Sequence, residues 1–255
     1  MDKFREKYFE RYQKKNIIGL QKGERPFLYS FWRRKLKKLL PEGAKILEVG
    51  CGGGYFLKWL EQQYNIVGMD ISSEALKLAK WKTNARLILG DAQNLPFESR
   101  SFSAVIAFDL IEHLEKPEEF LAEAYRMLCV PGFLIISTPN PESFGNKIKG
   151  RREDLKGLPY EERMDEWFGW RDYTHISIKL RNEWRKIIQD IGFKILKDGT
   201  DTLWDVPYFK VVPVILQRIF FIGIHWVLTY FGGFFSWKYG ENIIFIALKE
   251  KGNKK

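Results

Sequence analysis

Short apolar runs alternate with helical periods from residue 45 to about residue 199 of the chain. Strands buried on both faces of a sheet read as short apolar runs, whereas crossover helices repeat apolar residues every three or four positions. The pattern predicts seven strands: Lys45–Val49, Ile66–Asp70, Arg86–Gly90, Ala104–Phe108, Phe133–Thr138, Phe193–Lys197 and Asn242–Lys249. This alternation favours βαβ units and an open, mostly parallel α/β sheet over a barrel or a bundle.

Helices occupy the intervals between these strands. The periodicity predicts Tyr55–Gln63, Ser73–Lys80 and Glu118–Leu128, and Pro131 and Gly132 follow the third helix. A fourth helix ends before Gly192, because glycine is typical of the position just after a helix. Its apolar stripe consists of Leu180, Trp184, Ile187, Ile188 and Ile191.

Two segments are too long to be ordinary connections. Residues 139–174 follow the fifth strand and are rich in aromatic residues near their end, so we expect a lid over a binding site. Residues 200–241 separate the last two predicted strands and are far longer than an ordinary connection. Within them, Ile219–Trp237 contains no Asp, Glu, Lys or Arg.

The apolar insert 200–241 does not fit a simple membrane crossing. A single crossing would separate the last strand from its sheet, and two crossings need about 40 apolar residues. Pro213, Gly223, Gly232 and Gly233 permit breaks in a helix. We therefore expect a helical hairpin that dips into a membrane surface or roofs an apolar substrate. A buried contact in a homodimer is the alternative use of this surface.

The composition excludes several classes of protein. With 255 residues, 45% of them hydrophobic, the chain can bury a substantial core. Its two cysteines, Cys51 and Cys129, cannot form a disulfide scaffold. The three histidines are not spaced with carboxylates as a ligand set, so the sequence predicts no metal site. No apolar stretch follows the charged N-terminus, so we expect a cytoplasmic protein without a signal peptide.

A glycine-rich loop, Gly50-Cys51-Gly52-Gly53-Gly54, follows the first predicted strand. A triphosphate-binding loop would end in Gly-Lys-Ser/Thr, and a dinucleotide fingerprint would place its third glycine at Tyr55, so neither pattern fits. The spacing that fits is acid-x-Gly-x-Gly-x-Gly, with Glu48 as the acid. A second acid, Asp70, ends the next strand, where a carboxylate can accept both hydroxyls of a ribose.

With these motifs the sequence resembles the class I S-adenosylmethionine-dependent methyltransferases from about Lys45 to Lys249. The motifs occur in the family's order: the glycine loop, Asp70, Asp91, Leu95-Pro96-Phe97 and Pro131-Gly132. The resemblance implies a Rossmann-like, doubly wound seven-stranded sheet with an antiparallel last strand, N-terminal helices and S-adenosylmethionine as methyl donor. The chain departs from the family pattern at Ser103, where Asp is common, and at Phe133, where a second Gly is common.

The resemblance also implies the cofactor contacts. In the family the glycine loop approaches the methionyl part, the acid after the second strand holds the ribose, and the acid after the third strand holds the adenine amino group. The matching positions are Glu48, Gly50, Cys51, Gly52, Gly54, Asp70, Ile71, Asp91, Ala92 and Phe108.

The stretch after the fourth strand is expected to face the transferred methyl group, because ligands of open parallel sheets bind beyond the carboxyl ends of the strands. It lacks the Asn/Asp-Pro-Pro-Tyr/Phe signature of enzymes that methylate exocyclic amines of bases. The triplet Glu112-His113-Leu114 instead resembles the branch that methylates small molecules, including quinone precursors and lipid hydroxyls. We therefore expect an oxygen or carbon acceptor.

His113 and His175 are the candidate general bases of this stretch, and Asp109 is the third candidate catalytic residue. The alternative for His113 is packing beside the cofactor without proton transfer. The alternative for His175 is capping of the next helix together with Asp172.

The excess positive charge is local to the N-terminus. The formal net charge is +10, and residues 1–45 carry +9 of it. We therefore divide the chain into a basic helical segment, residues 1–44, and a methyltransferase domain, residues 45–255. The basic segment contains a predicted amphipathic helix whose apolar stripe is Leu28, Trp32, Leu36, Leu39 and Leu40.

A basic amphipathic helix and an apolar insert together predict peripheral contact with the inner face of a membrane through residues 28–40 and 203–240. The simpler interpretation is a docked helix with a solvated face. The main hypothesis is methyl transfer to a small, apolar or lipid-linked acceptor. The alternatives are an RNA methyltransferase that uses the basic segment, weakened by the missing signature and by the lack of an added RNA-binding module, and a non-catalytic S-adenosylmethionine-binding protein. A nucleic-acid partner is therefore not expected.

Overall fold

The sheet has seven strands in the part of the chain that the computed structural model describes, residues 26–149 and 175–250. The strands are β1 (Lys45–Val49), β2 (Asn65–Asp70), β3 (Arg86–Leu89), β4 (Phe102–Phe108), β5 (Leu128–Pro139), β6 (Lys194–Thr200) and β7 (Asn242–Lys249). Their order is β3-β2-β1-β4-β5-β7-β6. Strands β1 to β5 pair in parallel, and β7 is antiparallel to both β5 and β6. The predicted fold class is confirmed.

Helices lie between the strands as the periodicity predicts. They are α1 (Pro26–Leu39), α2 (Tyr55–Leu60), α3 (Ser73–Lys80), α4 (Pro117–Met127), α5 (Phe144–Lys149), α6 (Arg181–Asp190) and α7 (Val214–Phe231). Helix α7 contains a π-helical stretch over Arg218–Ile222. A short 3-10 turn, Ile111–His113, follows β4. The predicted stop at Gly192 is confirmed by its left-handed φ of 111°.

Two apolar layers cover the sheet, one on each face. Helices α4 and α6 pack on one face, where Phe120 and Trp184 are fully buried. Helix α1 packs on the other face together with α2, and the described part of the basic segment therefore belongs to the core. The Trp32 ring of α1 lies 5.3 Å from the Phe108 ring and 6.1 Å from the Phe234 ring, between ring centroids. The apolar stripe that predicted this helix is the stripe that docks it.

Several predicted element boundaries were wrong. Strand β6 runs to Thr200 rather than Lys197 and pairs with β7 up to Ile243. The added length contains Asp198, a residue that strand patterns do not favour; here its carboxylate is held by Arg181 at 2.8 Å and Arg185 at 2.5 Å. Helix α2 ends at Leu60 instead of Gln63, and β5 begins at Leu128, where a helix was predicted to end.

The apolar insert between β6 and β7 is not a hairpin of helices. It contains one continuous helix, α7, because Gly223 adopts an ordinary helical conformation with φ of −60° and does not break the chain. The expected breaks do occur at the two ends: Pro213 precedes the helix, and Gly233, with φ of 71°, follows it. The predicted helical hairpin is therefore corrected to a single 18-residue helix.

The predicted lid over residues 139–174 is only partly described. Helix α5 belongs to it, whereas residues 150–174, with the aromatic cluster and Asp172, lie outside the described residues.

We predict that Trp32→Ala lowers the free energy of unfolding by about 3 to 5 kcal/mol, the usual cost of removing a buried large aromatic side chain. Trp32 is 1% exposed and joins α1 to the sheet. Urea unfolding measures the effect, and Lys37→Ala, at an exposed position of the same helix, is the control. A change below about 1 kcal/mol for Trp32→Ala would show that α1 is not part of the core.

Candidate active site

The candidate site lies at the edge of the sheet where the parallel strands end. Because β7 runs antiparallel, its first residues reach the same edge. Gly50 and Asp109 follow β1 and β4, Asn140 and Asp201 follow β5 and β6, and Glu241 precedes β7. This arrangement brings residues from distant parts of the sequence to one edge.

The glycine loop needs glycine for conformation and for space. Gly50, Gly52 and Gly54 have φ values of 74°, 50° and 74°, which side chains with a Cβ rarely adopt. A Cβ on Gly54 would lie 2.9 Å from the Cβ of Ala79 in α3. The loop therefore turns sharply from β1 into α2 and leaves backbone surface open to a ligand.

Asp70 joins the glycine loop to the end of β2. Its carboxylate accepts hydrogen bonds from the backbone N–H of Gly52 at 2.8 Å and of Ser72 at 2.9 Å. Burial raises the pKa of Asp70, and the backbone hydrogen bonds partly oppose this rise. Asp70 thus has the position and the partners of an acid that fixes the loop.

The surroundings of Glu48 indicate whether a cationic cofactor fits this site. The side chain is buried, and burial together with the nearby Asp70 raises its pKa well above its ordinary value. Its Oε2 atom has no hydrogen-bond partner among the described residues. A buried acceptor without a donor is costly, and a ligand with an amino group and a positive charge relieves that cost. The residues present therefore fit S-adenosylmethionine.

The other predicted cofactor contacts are distributed around this loop. Asp91 follows β3, and its carboxylate accepts a hydrogen bond from the N–H of Gln93 at 3.0 Å. Ala92 is buried, and Ile71 presents a partly exposed apolar side chain beside Asp70. Cys51 is buried, and burial raises the pKa of its thiol. The Phe108 ring packs against Trp32 and Phe56 at 5.3 Å, so this ring is part of the core beneath α1.

The two candidate bases, His113 and His175, lie together although 62 positions separate them in the sequence. Their ring centroids are 4.9 Å apart. The backbone N–H groups of Ile176 and Ser177 donate to the Glu112 carbonyl at 2.8 and 2.9 Å. These bonds attach the segment that follows the predicted lid to the turn after β4.

Asp109, the third candidate, is held in a left-handed conformation with φ of 50°. Its Oδ1 accepts hydrogen bonds from the Ser137 hydroxyl at 2.9 Å and from the Asn242 side-chain amide at 3.3 Å. Both partners belong to neighbouring strands, so Asp109 fixes the path of the chain from β4 into the turn that carries His113.

Glu112 is a further site residue that the sequence pattern did not indicate. Its side chain is fully buried next to His113 and His175. Burial raises its pKa to about 8; His175 opposes the rise, and Asp109 adds to it. The signal was present in the Glu112-His113-Leu114 triplet, but sequence alone does not show which of two adjacent side chains points inward.

A second polar cluster beside the site was also missed. Burial raises the pKa of Asp201 to about 8 and that of Glu241 to about 7. The Tyr208 hydroxyl donates to Glu241 at 2.5 Å, and the buried Lys149 amino group pairs with Asp205 at 2.8 Å. Asp201 directly follows β6, so the rule that identified Asp70 at the end of β2 applies to it as well.

The fold and this edge define a Rossmann-like methyltransferase, in which the seventh strand is inserted antiparallel beside the fifth. The chain belongs to the methyltransferase domain family, whose model matches residues 24–198. It is an S-adenosylmethionine-dependent methyltransferase, as the resemblance of the sequence implied. The alternative of a non-catalytic binding protein is not supported.

The chain is similar in sequence or in structure to several other proteins. The uncharacterized protein MJ1123 of Methanocaldococcus jannaschii is 29% identical over 204 residues, which are 80% of this chain and 84% of that protein. The demethylmenaquinone methyltransferase of Thermotoga maritima is 32% identical over 126 residues, 46% of this chain and 55% of the relative. The solved structure of an S-adenosylmethionine-dependent methyltransferase of Thermotoga maritima, described as a possible histamine N-methyltransferase, has a TM-score of 0.62. It covers 98% of this chain and 100% of its own at 20% identity, which supports the fold.

We predict that Asp70→Asn weakens binding of S-adenosylhomocysteine about 10- to 100-fold, because hydrogen bonds to a charged group contribute about 1.5 to 3 kcal/mol. Isothermal titration calorimetry measures the affinity. Asp190→Asn, at an exposed position at the end of α6, is the control. Unchanged affinity in Asp70→Asn would remove Asp70 from the cofactor site.

The free energy of unfolding is predicted to fall as the pH rises from about 4.5 to about 7. Glu241 has a pKa of about 7 in the folded protein and an ordinary value of 4.5, so over this range the unfolded chain has lost a proton that the folded chain keeps. Glu241 accounts for at most about 3 kcal/mol of this fall. Glu241→Gln should therefore make the free energy of unfolding depend less steeply on pH. Urea unfolding at several pH values tests this, with the exposed Glu98→Gln as control. If the free energy of unfolding of Glu241→Gln depends on pH as steeply as that of the unmodified protein, the raised pKa of Glu241 is contradicted.

Proposed function

We propose that the protein transfers the methyl group of S-adenosylmethionine to an oxygen or carbon atom of an apolar or lipid-linked acceptor at the cytoplasmic face of a membrane. The observation that carries this proposal is the orientation of α7 beside the site. Apart from the exposed Arg218, its polar residues face the protein and most of its apolar residues face outward, the reverse of a helix that covers a core in water.

The outer surface of α7 is predominantly apolar, with Arg218 as its one exposed charged residue. Ile215, Ile219, Phe220, Val227 and Phe231 are each between 57% and 78% exposed. The inner positions include Gln217 and Thr229, which are 2% and 1% exposed. An uncovered surface of this kind is typical of contact with a membrane or another apolar partner.

Helix α1 lies beside α7 and adds positive charge to the same surface. The Phe27 and Trp226 rings stack with centroids 5.3 Å apart. The Arg34 guanidinium lies 4.1 Å from the centroid of the Tyr230 ring and donates to the Tyr230 carbonyl. Lys37 and Lys38, further along α1, are exposed. Apolar residues flanked by basic ones suit an anionic lipid surface.

The connections of α7 to the sheet favour lying on the membrane over crossing it. By length and composition α7 qualifies as a spanning helix, with a mean hydropathy of 1.5 and 11% of its residues buried. The chain enters α7 from β6 and leaves it for β7, and these two strands pair in the same sheet. Both ends of the helix therefore stay on the side of the sheet, which supports an interfacial helix.

Polar contacts connect α7 to the edge of the site. The Gln217 side chain accepts from the Tyr208 N–H at 2.6 Å and donates to the carbonyls of Phe209 and Val212 at 2.7 Å. His225 forms a short hydrogen bond with the Thr202 hydroxyl, next to Asp201. An acceptor that enters from the surface of α7 therefore meets the side of the site opposite the glycine loop.

The chemical demand on the protein is modest. When bound, S-adenosylmethionine supplies a methyl group that its sulfonium already activates. The residues of the chain then have to align the acceptor, exclude water and provide for its proton. His113 and His175 are the side chains that can accept a proton from an acceptor hydroxyl. The similarity to a demethylmenaquinone methyltransferase supports an apolar acceptor.

We predict that the purified protein floats with vesicles of phosphatidylcholine and phosphatidylglycerol and binds less to vesicles of phosphatidylcholine alone. Phe220→Ser and Phe231→Ser should each weaken vesicle binding several-fold, because full burial of such a side chain contributes about 1.5 to 3 kcal/mol. Trp81→Ser removes an aromatic residue that is 90% exposed outside α1 and α7, and it should bind normally. Equal flotation of all four proteins, or none, would contradict membrane contact.

The acceptor class is tested by incubating the protein with methyl-labelled S-adenosylmethionine and a crude cell extract that is then separated into lipid and RNA fractions. The proposal predicts label in the lipid fraction. Label confined to RNA would favour the alternative of an RNA methyltransferase, and label confined to water-soluble compounds would contradict an apolar acceptor.

A further inference from the structure

Three side chains with metal-ligating atoms converge at the turn after β4. Glu112 and His113 come from the turn itself, and His175 comes from the segment that returns after the predicted lid. One ligand atom of each lies within 4.8 Å of those of the other two. The sequence predicted no metal site because His175 stands far from the other two residues along the chain.

The burial of Glu112 favours a ligand-binding role for this cluster. Its side chain is fully buried, and neither carboxylate oxygen has a hydrogen-bond partner of standard geometry among the described residues, although the Thr138 hydroxyl and the N–H of Glu112 itself are close enough to lower its pKa. Its Oε1 lies 3.9 Å from Nε2 of His113, so the carboxylate is directed at the imidazole without a hydrogen bond. A buried carboxylate normally has a charged partner, a hydrogen-bond donor or a metal ion.

The spacing suits a divalent ion after a small adjustment. With metal–ligand distances of about 2.1 Å, ligand atoms stand about 3.0 Å apart in octahedral and about 3.4 Å apart in tetrahedral coordination. The 3.9 Å separation between Glu112 and His113 exceeds these values by less than about 1 Å. The separations that involve His175 are at most 4.8 Å and exceed them by at most about 1.8 Å. Side-chain rotations of His113 and His175, which are both only half-buried, can close such a gap.

We propose that Glu112, His113 and His175 bind one divalent transition-metal ion, of the zinc, manganese, iron or cobalt type. Two imidazoles with one carboxylate favour these ions over magnesium and calcium, which prefer oxygen ligands alone. Three protein ligands leave coordination positions open, as in catalytic rather than structural metal sites.

The open positions give the ion a role in the proposed reaction, and this part of the inference rests on the proposed function. An acceptor hydroxyl that binds the ion becomes more acidic and releases its proton to solvent. The oxygen lone pair then forms the new bond to the methyl carbon while the carbon–sulfur bond of the donor breaks. With the ion bound, the two histidines would act as its ligands, and solvent would replace them in the role of proton acceptor that the proposed function gives them.

The test titrates cobalt(II) into the tag-free, metal-stripped protein and records its visible d–d absorption, which reports coordination by the protein without any methyl transfer. We expect one cobalt ion per chain. Glu112→Gln and His175→Ala should each weaken cobalt binding at least about 100-fold, because each removes one of three ligands. His225→Ala should not change it, since His225 contacts Thr202 and is the third histidine of the chain.

Thermal unfolding of each variant establishes that the fold is kept, and His113→Gln is the second variant if Glu112→Gln does not fold. The proposal is overturned if no protein-specific absorption appears, or if the ligand variants bind cobalt as the unmodified protein does. It is equally overturned if His225→Ala abolishes binding.

Different results would contradict the metal site and the proposed function. Cobalt binding without label in the lipid fraction would keep the site and reject the apolar acceptor. Full lipid methylation in the presence of a chelator that removes all metal would keep the proposed function and reject the role of the ion.

Discussion

Buried carboxyl groups lie together at one edge of the sheet. The binding of a cationic methyl donor, and of the proposed metal ion, depends on how the negative charge of these groups is balanced. Glu48 and Asp70 flank the glycine loop, Glu112 lies in the turn after β4, and Asp201 and Glu241 lie beside β6 and β7. Burial raises the pKa of each of these groups. A cationic methyl donor, and in our proposal a divalent ion, supply positive charge to an edge that favours it.

The same edge explains why α7 is attached where it is. Gln217 and His225 reach inward to the loop and strand residues around the polar cluster, which leaves the apolar side chains of α7 outside. Helix α1 packs with its apolar stripe on the sheet and contacts α7 through Phe27 and Arg34. The proposed membrane surface is therefore built from two helices that are each held by the catalytic domain itself.

Sequence patterns predicted the sheet and the glycine loop, because apolar periodicity and glycine conformations are local properties. The antiparallel last strand was implied by the resemblance to the methyltransferase family. The same patterns failed at β6, where paired arginines hold Asp198, and at α7, where Gly223 continues the helix. The Glu112, His113 and His175 cluster could not be predicted, since it depends on where a long insert returns to the sheet. The roles of the predicted cofactor and catalytic residues stay predictions.

Proton release on cofactor binding tests the central claim about this edge most directly. Calorimetric titrations in buffers of different ionisation enthalpy, between pH 6 and 8, measure the protons released per cofactor bound. The sulfonium charge of S-adenosylmethionine should lower the raised pKa values of nearby carboxyl groups, so it should release more protons than the uncharged sulfur of S-adenosylhomocysteine. Equal release by both ligands, or proton uptake with S-adenosylmethionine, would contradict the account.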